Sequence, residues 1–290
     1  MIEFRCSSYG HLMVGAQLAG QLIPLGKTDQ KELDNILKKQ EQGKPLTPNQ
    51  ETALPILLAK RDTPFKAELS PGAKTYIEEI FINEKAGYMP VISSIQMEHG
   101  DEVEQRSIRQ VGAYLGYPMA TKAVPKPLSN GILCSSGYDW AVKDYLFDQK
   151  NVWEPKGLKS FEKDKDLALY IWQVKGYLWL TGRKYGAIIR CLMNPSESIL
   201  LKEAKQLWVK AGYDWNQPIS DEFLEACRAN RDFESRMPIE DRIRIFKVEL
   251  EENDPALITQ QVTLANEYWQ QLEIEWQNKN QKEYEFFKRK

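Results

Sequence analysis

Residues 137–150 read Gly-Tyr-Asp-Trp-Ala-Val-Lys-Asp-Tyr-Leu-Phe-Asp-Gln-Lys, and this stretch decides the fold. Apolar and aromatic residues stand on both sides of the polar pair Lys143-Asp144, which predicts two short β-strands joined by a tight turn. A hairpin folded about that pair places Ala141 opposite Leu146. The stretch therefore predicts a hairpin with acidic residues at one of its ends.

Two aspartates and a lysine meet in this predicted hairpin. The same register places Asp139 opposite Asp148, and the alternation of side chains along a strand puts Asp148 and Lys150 on one face. Opposed carboxylates destabilise a strand pair unless a cation lies between them, and Mg²⁺ prefers such oxygen ligands together with phosphate oxygens. A lone Asp-x-Lys triplet also occurs on solvated strand edges, so the interpretation as a metal site depends on residues elsewhere in the chain.

A carboxylate upstream of the hairpin lies on a predicted helix. From Glu102 to about Leu115 the pattern is helical, with Glu104 on the same face as Ile108 and Val111. An ionised carboxylate on an apolar face is costly unless it is paired or bound to a metal. Glu104 is therefore the predicted ligand, whereas Glu102 lies on another face. The alternative is a carboxylate that the dipole of a helix start favours.

Downstream of the hairpin, residues 166–181 read DLALYIWQVKGYLWLT and predict one helix that ends at Gly182. The helix is almost entirely apolar or aromatic, yet Gln173 and Tyr177 lie one turn apart on the same face, with Tyr170 near them. A buried glutamine needs hydrogen-bond partners for its amide. The pair either supports the metal site or belongs to a core helix whose polar tips reach solvent.

Together, and in this order, these motifs resemble the PD-(D/E)XK nuclease superfamily. The resemblance is to the branch that contains the bacteriophage lambda exonuclease, YqaJ-type recombinases and RecB-like nuclease domains. The matching elements are Gly100-x-x-x-Glu104, Gly137-x-Asp139, Asp148-x-Lys150 and Gln173-x-x-x-Tyr177. Two positions depart from the pattern, since Tyr138 stands where proline is usual and Asp148 where glutamate is commoner. The resemblance covers roughly residues 1–195.

The resemblance implies an α/β fold with a restriction-endonuclease-like core, in which a central mixed β-sheet is flanked by helices. It also implies Mg²⁺, with Mn²⁺ as a substitute, held by Glu104, Asp139, Asp148 and the backbone carbonyl of Gln149. Lys150 completes the implied catalytic set by orienting or deprotonating a water molecule. Gln173 and Tyr177 are implied to support the site or to contact the DNA backbone.

The function that the resemblance implies is a Mg²⁺-dependent DNA exonuclease of phage recombination or repair, acting 5′-to-3′ from duplex ends. An endonuclease or repair nuclease of the same fold is the nearer alternative, because the motifs specify phosphodiester hydrolysis but not dependence on ends. A non-catalytic DNA-binding or assembly protein is the more distant one. The implied partners are double-stranded DNA with free ends, a single-strand annealing protein and further copies of the chain in a homo-oligomer.

The N-terminal segment also resembles this branch, in which an arginine and a serine near the start hold the terminal phosphate of the cut strand. Arg5 and Ser8 are the matching positions, with Ser7 next to them. The resemblance therefore implies a 5′-phosphate site. The alternative is a helix cap formed by one of the two serines.

The chain divides, on its motifs, into a nuclease core and an extension. Residues 1–195 form the predicted core, with a polar helical insertion near residues 27–61, and residues 196–290 form a mostly helical C-terminal extension packed on it. The pattern predicts a strand at 185–192 beside the hairpin, an edge strand at 242–250 and a long final helix at 255–279. Two further helices are predicted at 196–211 and 221–230.

Composition agrees with a cytoplasmic enzyme that does not cross a membrane. No apolar run is long enough to span a bilayer, and the N-terminus lacks the basic-then-apolar order of a signal peptide. The four cysteines are scattered without a C-x-x-C pair, so neither a disulfide framework nor the four-cysteine iron–sulfur cluster of some RecB-like relatives is expected.

Charge is distributed unevenly along the chain, whose net charge is −2. Residues 1–195 hold 25 basic and 22 acidic residues, against 14 and 19 in the remainder. An enzyme that grips DNA in a groove needs a basic lining rather than a basic surface overall. The candidates for that lining are Lys122, Lys126, Lys156 and Lys159, although each of them is also an ordinary solvated lysine in isolation.

Overall fold

A computed structural model describes residues 2–20, 22, 25–64, 66–89, 93–159 and 166–288, with side chains described as far as residue 278. The first half of the chain forms β1 (Phe4–Arg5), α1 (Gly10–Met13), α2 (Lys27–Glu41), α3 (Pro48–Asp62), α4 (Pro71–Lys85), α5 (Ile95–Tyr114), β2 (Leu128–Ser129), β3 (Leu133–Ser135), β4 (Trp140–Val142) and β5 (Tyr145–Val152). A 3-10 turn (Pro155–Leu158) follows, and then come α6 (Leu167–Thr181), β6 (Tyr185–Leu192), α7 (Glu197–Lys210), α8 (Asp221–Arg231), α9 (Phe233–Arg236), α10 (Ile239–Arg242), β7 (Ile243–Glu249) and α11 (Asp254–Lys288).

The central sheet has the strand order β4-β5-β6-β7. The β5–β6 pair is parallel, whereas β4–β5 and β6–β7 are antiparallel, so the sheet is mixed as predicted. The hairpin register is also as predicted, with Ala141 opposite Leu146. At its turn Lys143 adopts a φ of 52°, a value that few residues other than glycine take. Stacking of Trp140 on Phe147, with ring centroids 4.1 Å apart, stabilises the pair of strands.

Helices cover both faces of this sheet. On one face Leu146 packs with Val174 and Leu178 of α6, and on the other Phe147 packs with Ile108 of α5. Successive residues of β5 alternate between these two faces, so α5 and α6 lie on opposite sides of the strand that carries the Asp-x-Lys motif. This arrangement confirms the predicted α/β fold.

The helix α5 begins at Ile95, and the predicted start near Glu102 was therefore wrong. Ser94 caps the helix by accepting a hydrogen bond from the backbone N–H of Met97. Gly100 does not interrupt it, and the Gly100 carbonyl also accepts a hydrogen bond of 2.9 Å from the Asn151 side chain on β5. The apolar periodicity begins later than the helix because the first turns face the cleft described below.

The C-terminal region contributes directly to the central sheet and to the core. The strand β7 pairs with β6 along seven residues, and α11 buries Ile258, Val262 and Ala265 in the same cluster as α6. The side chain of Asn266 accepts a hydrogen bond of 2.6 Å from the N–H of Ile2 at the other end of the chain. A core limited to residues 1–195 is therefore too small, because the sheet requires a strand from the region predicted as an extension.

The predicted helical insertion is present as a hairpin of α2 and α3. A capping box between Thr47 and Gln50 begins α3. The two helices enclose a small core of their own, in which Leu33, Ile36 and Leu57 are buried. Within the part of the chain that the structure describes, no helix is both long and apolar enough to cross a bilayer.

Candidate active site

Asp148 lies in the middle of β5 and is 1% exposed. Its Oδ1 accepts a hydrogen bond of 3.1 Å from Lys150 Nζ, two residues along the same face of the strand. Its Oδ2 is buried and has no hydrogen-bond partner among the described residues. A buried carboxylate oxygen without a donor is unfavourable unless a ligand satisfies it. The Oδ2 atom of Asp148 can therefore bind a cation or a proton.

Asp139 immediately precedes β4 and lies beside Asp148. Gly137, whose φ of 139° favours glycine, turns the chain into this position. The Oδ2 of Asp139 accepts a hydrogen bond of 2.6 Å from the backbone N–H of Gln149. Burial, and after it the negative charge of Asp148, raises the pKa of Asp139 to about 7. Burial also raises the pKa of Asp148. Because burial makes the negative charge of both carboxylates unfavourable, a cation bound between Asp139 and Asp148 would stabilise them.

The backbone of Gln149 is oriented toward Asp139. In an extended strand the N–H and C=O groups of one residue point to the same side, and the N–H of Gln149 already bonds to Asp139. The ladder between β4 and β5 stops at Trp140 opposite Phe147. The Gln149 carbonyl therefore faces the gap beyond the end of β4, on the side of Asp139, and its role as a metal ligand stays a prediction.

Lys150 carries the positive charge of the site. Burial pulls the pKa of its ammonium down, but Asp148 and then Asp139 outweigh that effect and hold the pKa above its ordinary value. The Nζ atom also lies 5.2 Å from the centre of the Tyr170 ring, within reach of a cation–π interaction. Lys150 is therefore a proton-bearing donor at the floor of the site.

Glu104 and Glu102 project from α5 to different places. Glu104 lines the same cleft as the two aspartates, its side chain is 13% exposed, and its Oε2 forms an ion pair with Lys122. Glu102 is exposed and accepts hydrogen bonds from Ser196 and Ser198 outside the cleft. As the helical pattern predicted, Glu104 and Glu102 lie on different faces of α5, and of the two only Glu104 lines the cleft.

The Gln-x-x-x-Tyr pair on α6 is joined by a hydrogen bond. Gln173 Nε2 donates to the hydroxyl of Tyr177 at 2.9 Å, and both residues are buried. Gln173 also lines the cleft, whereas Tyr177 lies behind it in the core next to Val174 and Leu178. Tyr177 therefore fixes the orientation of the Gln173 amide.

These side chains line an open cleft of about 730 Å³. Its polar and charged lining residues are Gln96, Asp101, Glu104, Asp139, Asp148, Gln149, Lys150, Asn151, Lys156, Lys159, Asp166, Tyr170, Gln173 and Arg190. Two of the four lysines predicted to line a groove, Lys156 and Lys159, belong to this set. Lys122 instead reaches the cleft through its ion pair with Glu104, and Lys126 lies outside the set.

Arg190 is a residue of the cleft that the motifs did not identify. It lies on β6, its Cα is the register partner of Lys150, and it is buried. Paired residues of neighbouring strands share a face, so its guanidinium is on the same side of the sheet as Lys150. The predicted strand at 185–192 contained the necessary signal, because pairing it in parallel with β5 places Arg190 beside the motif lysine.

The donor chemistry of the site fits a hard divalent cation. No three His, Cys, Asp or Glu side chains among the residues described are grouped tightly enough to be a ready metal cluster. The unpartnered Oδ2 of Asp148 and the raised pKa of Asp139 nevertheless fit an additional positive charge between them. Carboxylate and carbonyl oxygens are the ligands that Mg²⁺ and Mn²⁺ prefer. Glu104 is the remaining candidate ligand, and its carboxylate forms an ion pair with Lys122.

A second, smaller pocket of about 330 Å³ adjoins the cleft and shares Asp166, Tyr170 and Gln173 with it. Ser7 and Ser8 line this pocket together with His11, whose ring stacks on Tyr76 at 4.8 Å. Arg5 is exposed on β1, and it is not one of the residues that line the pocket. The structure thus brings Ser8, but not Arg5, next to the site.

The pKa of Asp139 has a testable consequence for stability. The folded protein binds the proton more tightly than the unfolded chain, whose aspartate titrates near 3.8. Its contribution to stability is therefore full at low pH and is lost as the pH rises through 7. As the pH rises from about 5 to about 8, we expect the unfolding free energy of Asp139→Asn to increase by about 2 kcal/mol relative to that of the wild type. Urea unfolding in EDTA measures this gain.

The control for this experiment is Asp144→Asn, which removes an exposed carboxylate from the turn of the same hairpin. Its stability relative to the wild type should not change with pH over this range. A difference between Asp139→Asn and the wild type that stays constant from pH 5 to pH 8 would show that the carboxylate titrates normally.

No protein-family model matches the sequence, and no curated protein sequence matches it at a significant level. Among solved structures, the crystal structure of a phage-related exonuclease from Haemophilus somnus 129PT aligns with 95% of this chain and 96% of its own, at 18% sequence identity and a TM-score of 0.59. The chain therefore has the fold of a phage-type exonuclease, which is the fold that its motifs predicted.

Two further crystal structures align less completely. An alkaline exonuclease, LHK-Exo from Laribacter hongkongensis, is 14% identical and aligns over 74% of this chain and 88% of its own, with a TM-score of 0.46. LHK-Exo in complex with dAMP is 17% identical and aligns over 75% and 88%, with a TM-score of 0.44.

Proposed function

We propose that this protein is a Mg²⁺-dependent DNA exonuclease that hydrolyses one strand of a duplex from its end, in the 5′-to-3′ direction. The observation that carries the proposal is the group at the floor of the cleft: a buried Asp148 with an unpartnered oxygen, Asp139 beside it and the Lys150 ammonium on its other oxygen. The phage-related exonuclease whose fold the chain shares over nearly its whole length supports the same activity. The strand polarity rests on the sequence resemblance.

In this proposal Asp148, Asp139, Glu104 and the Gln149 carbonyl hold the divalent cation. When bound, the cation supplies Lewis-acid polarisation of the phosphate and makes a water molecule at the site more acidic. Lys150 donates a hydrogen bond to the oxygen on which charge develops, since its ammonium lies at the floor of the cleft beside Asp148. Gln173, held by Tyr177, positions the DNA backbone.

Metal dependence tests the proposed function. Cleavage of linear duplex DNA is expected in Mg²⁺ or Mn²⁺ and absent in excess EDTA. Ca²⁺ is expected to support binding of the duplex with little cleavage, because its longer and looser coordination lacks the geometry that hydrolysis needs. Gel analysis of the products, with filter binding for the Ca²⁺ complex, measures both. Undiminished cleavage in EDTA would falsify the proposal.

The two carboxylates of α5 are expected to differ in their effect on activity. Glu104→Gln removes a charge from the cleft and should lower the rate about a hundredfold or more, since a metal ligand is lost. Glu102→Gln removes a charge outside the cleft, where the carboxylate accepts hydrogen bonds from Ser196 and Ser198, and should change the rate less than about twofold. Single-turnover cleavage in Mg²⁺ measures both variants. The reverse ranking would place the metal ligand on the other helix face.

The small pocket beside the cleft is the proposed site of the 5′-phosphate. A duplex with 5′-phosphates should be digested faster than one with 5′-hydroxyl ends, because the Ser8 hydroxyl in this pocket can donate to a phosphate oxygen. Ser8→Ala should reduce the difference between the two substrates while hydrolysis of the 5′-hydroxyl duplex continues, and Arg5→Ala, which removes an exposed side chain outside the pocket, should change it less. Equal rates for the unmodified protein on both duplexes would remove the case for this pocket.

A further inference from the structure

Lys122 forms an ion pair with the carboxylate that is the proposed metal ligand on α5. Its ammonium contacts Oε2 of Glu104 directly. The lysine side chain is 47% exposed, whereas that of Glu104 is 13% exposed. The Lys122 ammonium therefore neutralises the Glu104 carboxylate in the cleft, while the rest of the lysine side chain remains in contact with solvent.

Two hydrogen bonds hold the backbone at Lys122 in place, one to α5 and one to Asp139. Its N–H donates to the side chain of Gln105 on α5 at 3.1 Å. The N–H of the next residue, Ala123, donates to the carbonyl of Asp139 at 2.6 Å. The main chain is thus attached both to the helix of Glu104 and to Asp139, another proposed ligand, so the lysine side chain can change position while its backbone stays in place.

The charges around the Lys122 ammonium are those of the proposed metal site. The hydrogen bond to Glu104 raises the pKa of Lys122 above its ordinary value although burial lowers it, and Glu104, Asp139 and Asp101 add to the increase through their charges. Glu104, Asp139 and Asp101 also line the cleft. The ammonium therefore compensates the same group of carboxylates that a divalent cation would neutralise.

We propose that Lys122 is an internal counter-cation that a divalent metal displaces from Glu104, and that the released ammonium then binds a backbone phosphate of the DNA beside the cleft. The inference rests on the proposed function, since it takes the competing cation to be the catalytic metal. Two cations cannot share one partly buried carboxylate without repulsion. Displacement frees a long, half-exposed side chain at the rim of the cleft, where an ammonium can reach a phosphate as a point charge.

Metal binding without DNA tests the first half of the proposal. Isothermal titration with Mn²⁺ should show about three- to tenfold tighter binding to Lys122→Ala than to the wild type, because the competing charge is gone. Lys184→Ala is the matched control, since Lys184 forms an exposed ion pair with Glu249 at 3.0 Å, at the other end of β6 from Arg190. It should leave Mn²⁺ affinity unchanged. Damage to the fold would weaken metal binding and cannot produce the expected gain.

A double variant connects the effect to the ion pair. In a Glu104→Gln background, Lys122→Ala should no longer tighten Mn²⁺ binding, because the carboxylate for which lysine and metal compete is absent. Equal Mn²⁺ affinities of the wild type and Lys122→Ala would overturn this inference alone. Absence of Mn²⁺ binding by both proteins would overturn the proposed metal site together with it.

DNA binding tests the second half. The probe is a 5′-phosphorylated linear duplex oligonucleotide, with binding measured by fluorescence anisotropy in Ca²⁺ and in EDTA. Lys122→Ala should weaken binding about three- to tenfold in Ca²⁺, when the lysine of the wild type is released, and should have no effect in EDTA, when the lysine is held by Glu104. Equal effects in the two conditions, or none in Ca²⁺, would contradict the transfer of Lys122 from carboxylate to phosphate.

Discussion

Asp148→Asn is expected to abolish strand cleavage, with a loss of about a thousandfold or more in single-turnover rate. Asparagine keeps the shape of the side chain and one acceptor oxygen, but it removes the negative charge that a divalent cation requires at the centre of the cleft. The remaining proposed ligands, Glu104, Asp139 and the Gln149 carbonyl, then hold the cation less tightly and in a different geometry.

The same substitution is expected to leave the fold intact or to stabilise it. Asp148 is buried, its Oδ2 lacks a partner among the described residues, and its charge repels that of Asp139. Removing that charge relieves an unfavourable interaction. The urea midpoint in EDTA should therefore be equal to that of the wild type or higher. Cleavage by Asp148→Asn at a rate near that of the exposed-turn variant Asp144→Asn would show that the chemistry lies elsewhere.

Lys150→Met is expected to lower the cleavage rate about a hundredfold or more, because the ammonium that stabilises the developing charge is lost. Its effect on stability should be opposite to that of Asp148→Asn. The substitution leaves Asp148 buried without its cationic partner, which typically costs about 3 kcal/mol unless the carboxylate takes up a proton. The variant should therefore be less stable at neutral pH, and this loss should be smaller in acid.

A second buried lysine provides the control for that experiment. Lys175 on α6 donates to Asp254 on α11 at 2.9 Å; the Lys175 side chain is more buried than that of Lys150, and Asp254 is almost as buried as Asp148. Lys175→Met should lower the urea midpoint in the same way but retain cleavage at a temperature where the variant is folded. If Lys150→Met and Lys175→Met lost cleavage in proportion to their loss of stability, Lys150 would have only a structural role.

The local patterns of the sequence predicted the elements that carry the candidate site. The Lys143-Asp144 pair predicted the hairpin turn, and the register that it fixed placed Asp139 near Asp148. The apolar run that ends at Gly182 predicted α6, whose C-cap is that glycine. These features depend on neighbouring residues only, so the pattern of side chains along the chain contains them.

Contacts between distant parts of the chain were not predictable in the same way. The start of α5 was missed because its first turns carry polar residues that face the cleft rather than a core, so apolar periodicity does not mark them. Arg190 joins the site through the parallel pairing of β6 with β5, whose direction the predicted strand at 185–192 did not specify. Lys122 was predicted only as a lysine of the groove and joins the site through an ion pair with Glu104. The contribution of β7 to the central sheet likewise depends on a pairing that residues 196–290 alone do not specify.

A time course of cleavage of linear and covalently closed duplex DNA in Mg²⁺ tests whether this protein hydrolyses DNA from free ends at the Asp148 site. The linear duplex carries different labels at its 5′ and 3′ ends, and Asp148→Asn is run beside the wild type. We expect the wild type to release the 5′ labels first as mononucleotides or short products, the closed circle to stay intact, and Asp148→Asn to cleave neither. Nicking of the closed circle as fast as degradation of the linear duplex, or cleavage by Asp148→Asn at the wild-type rate, would contradict this expectation.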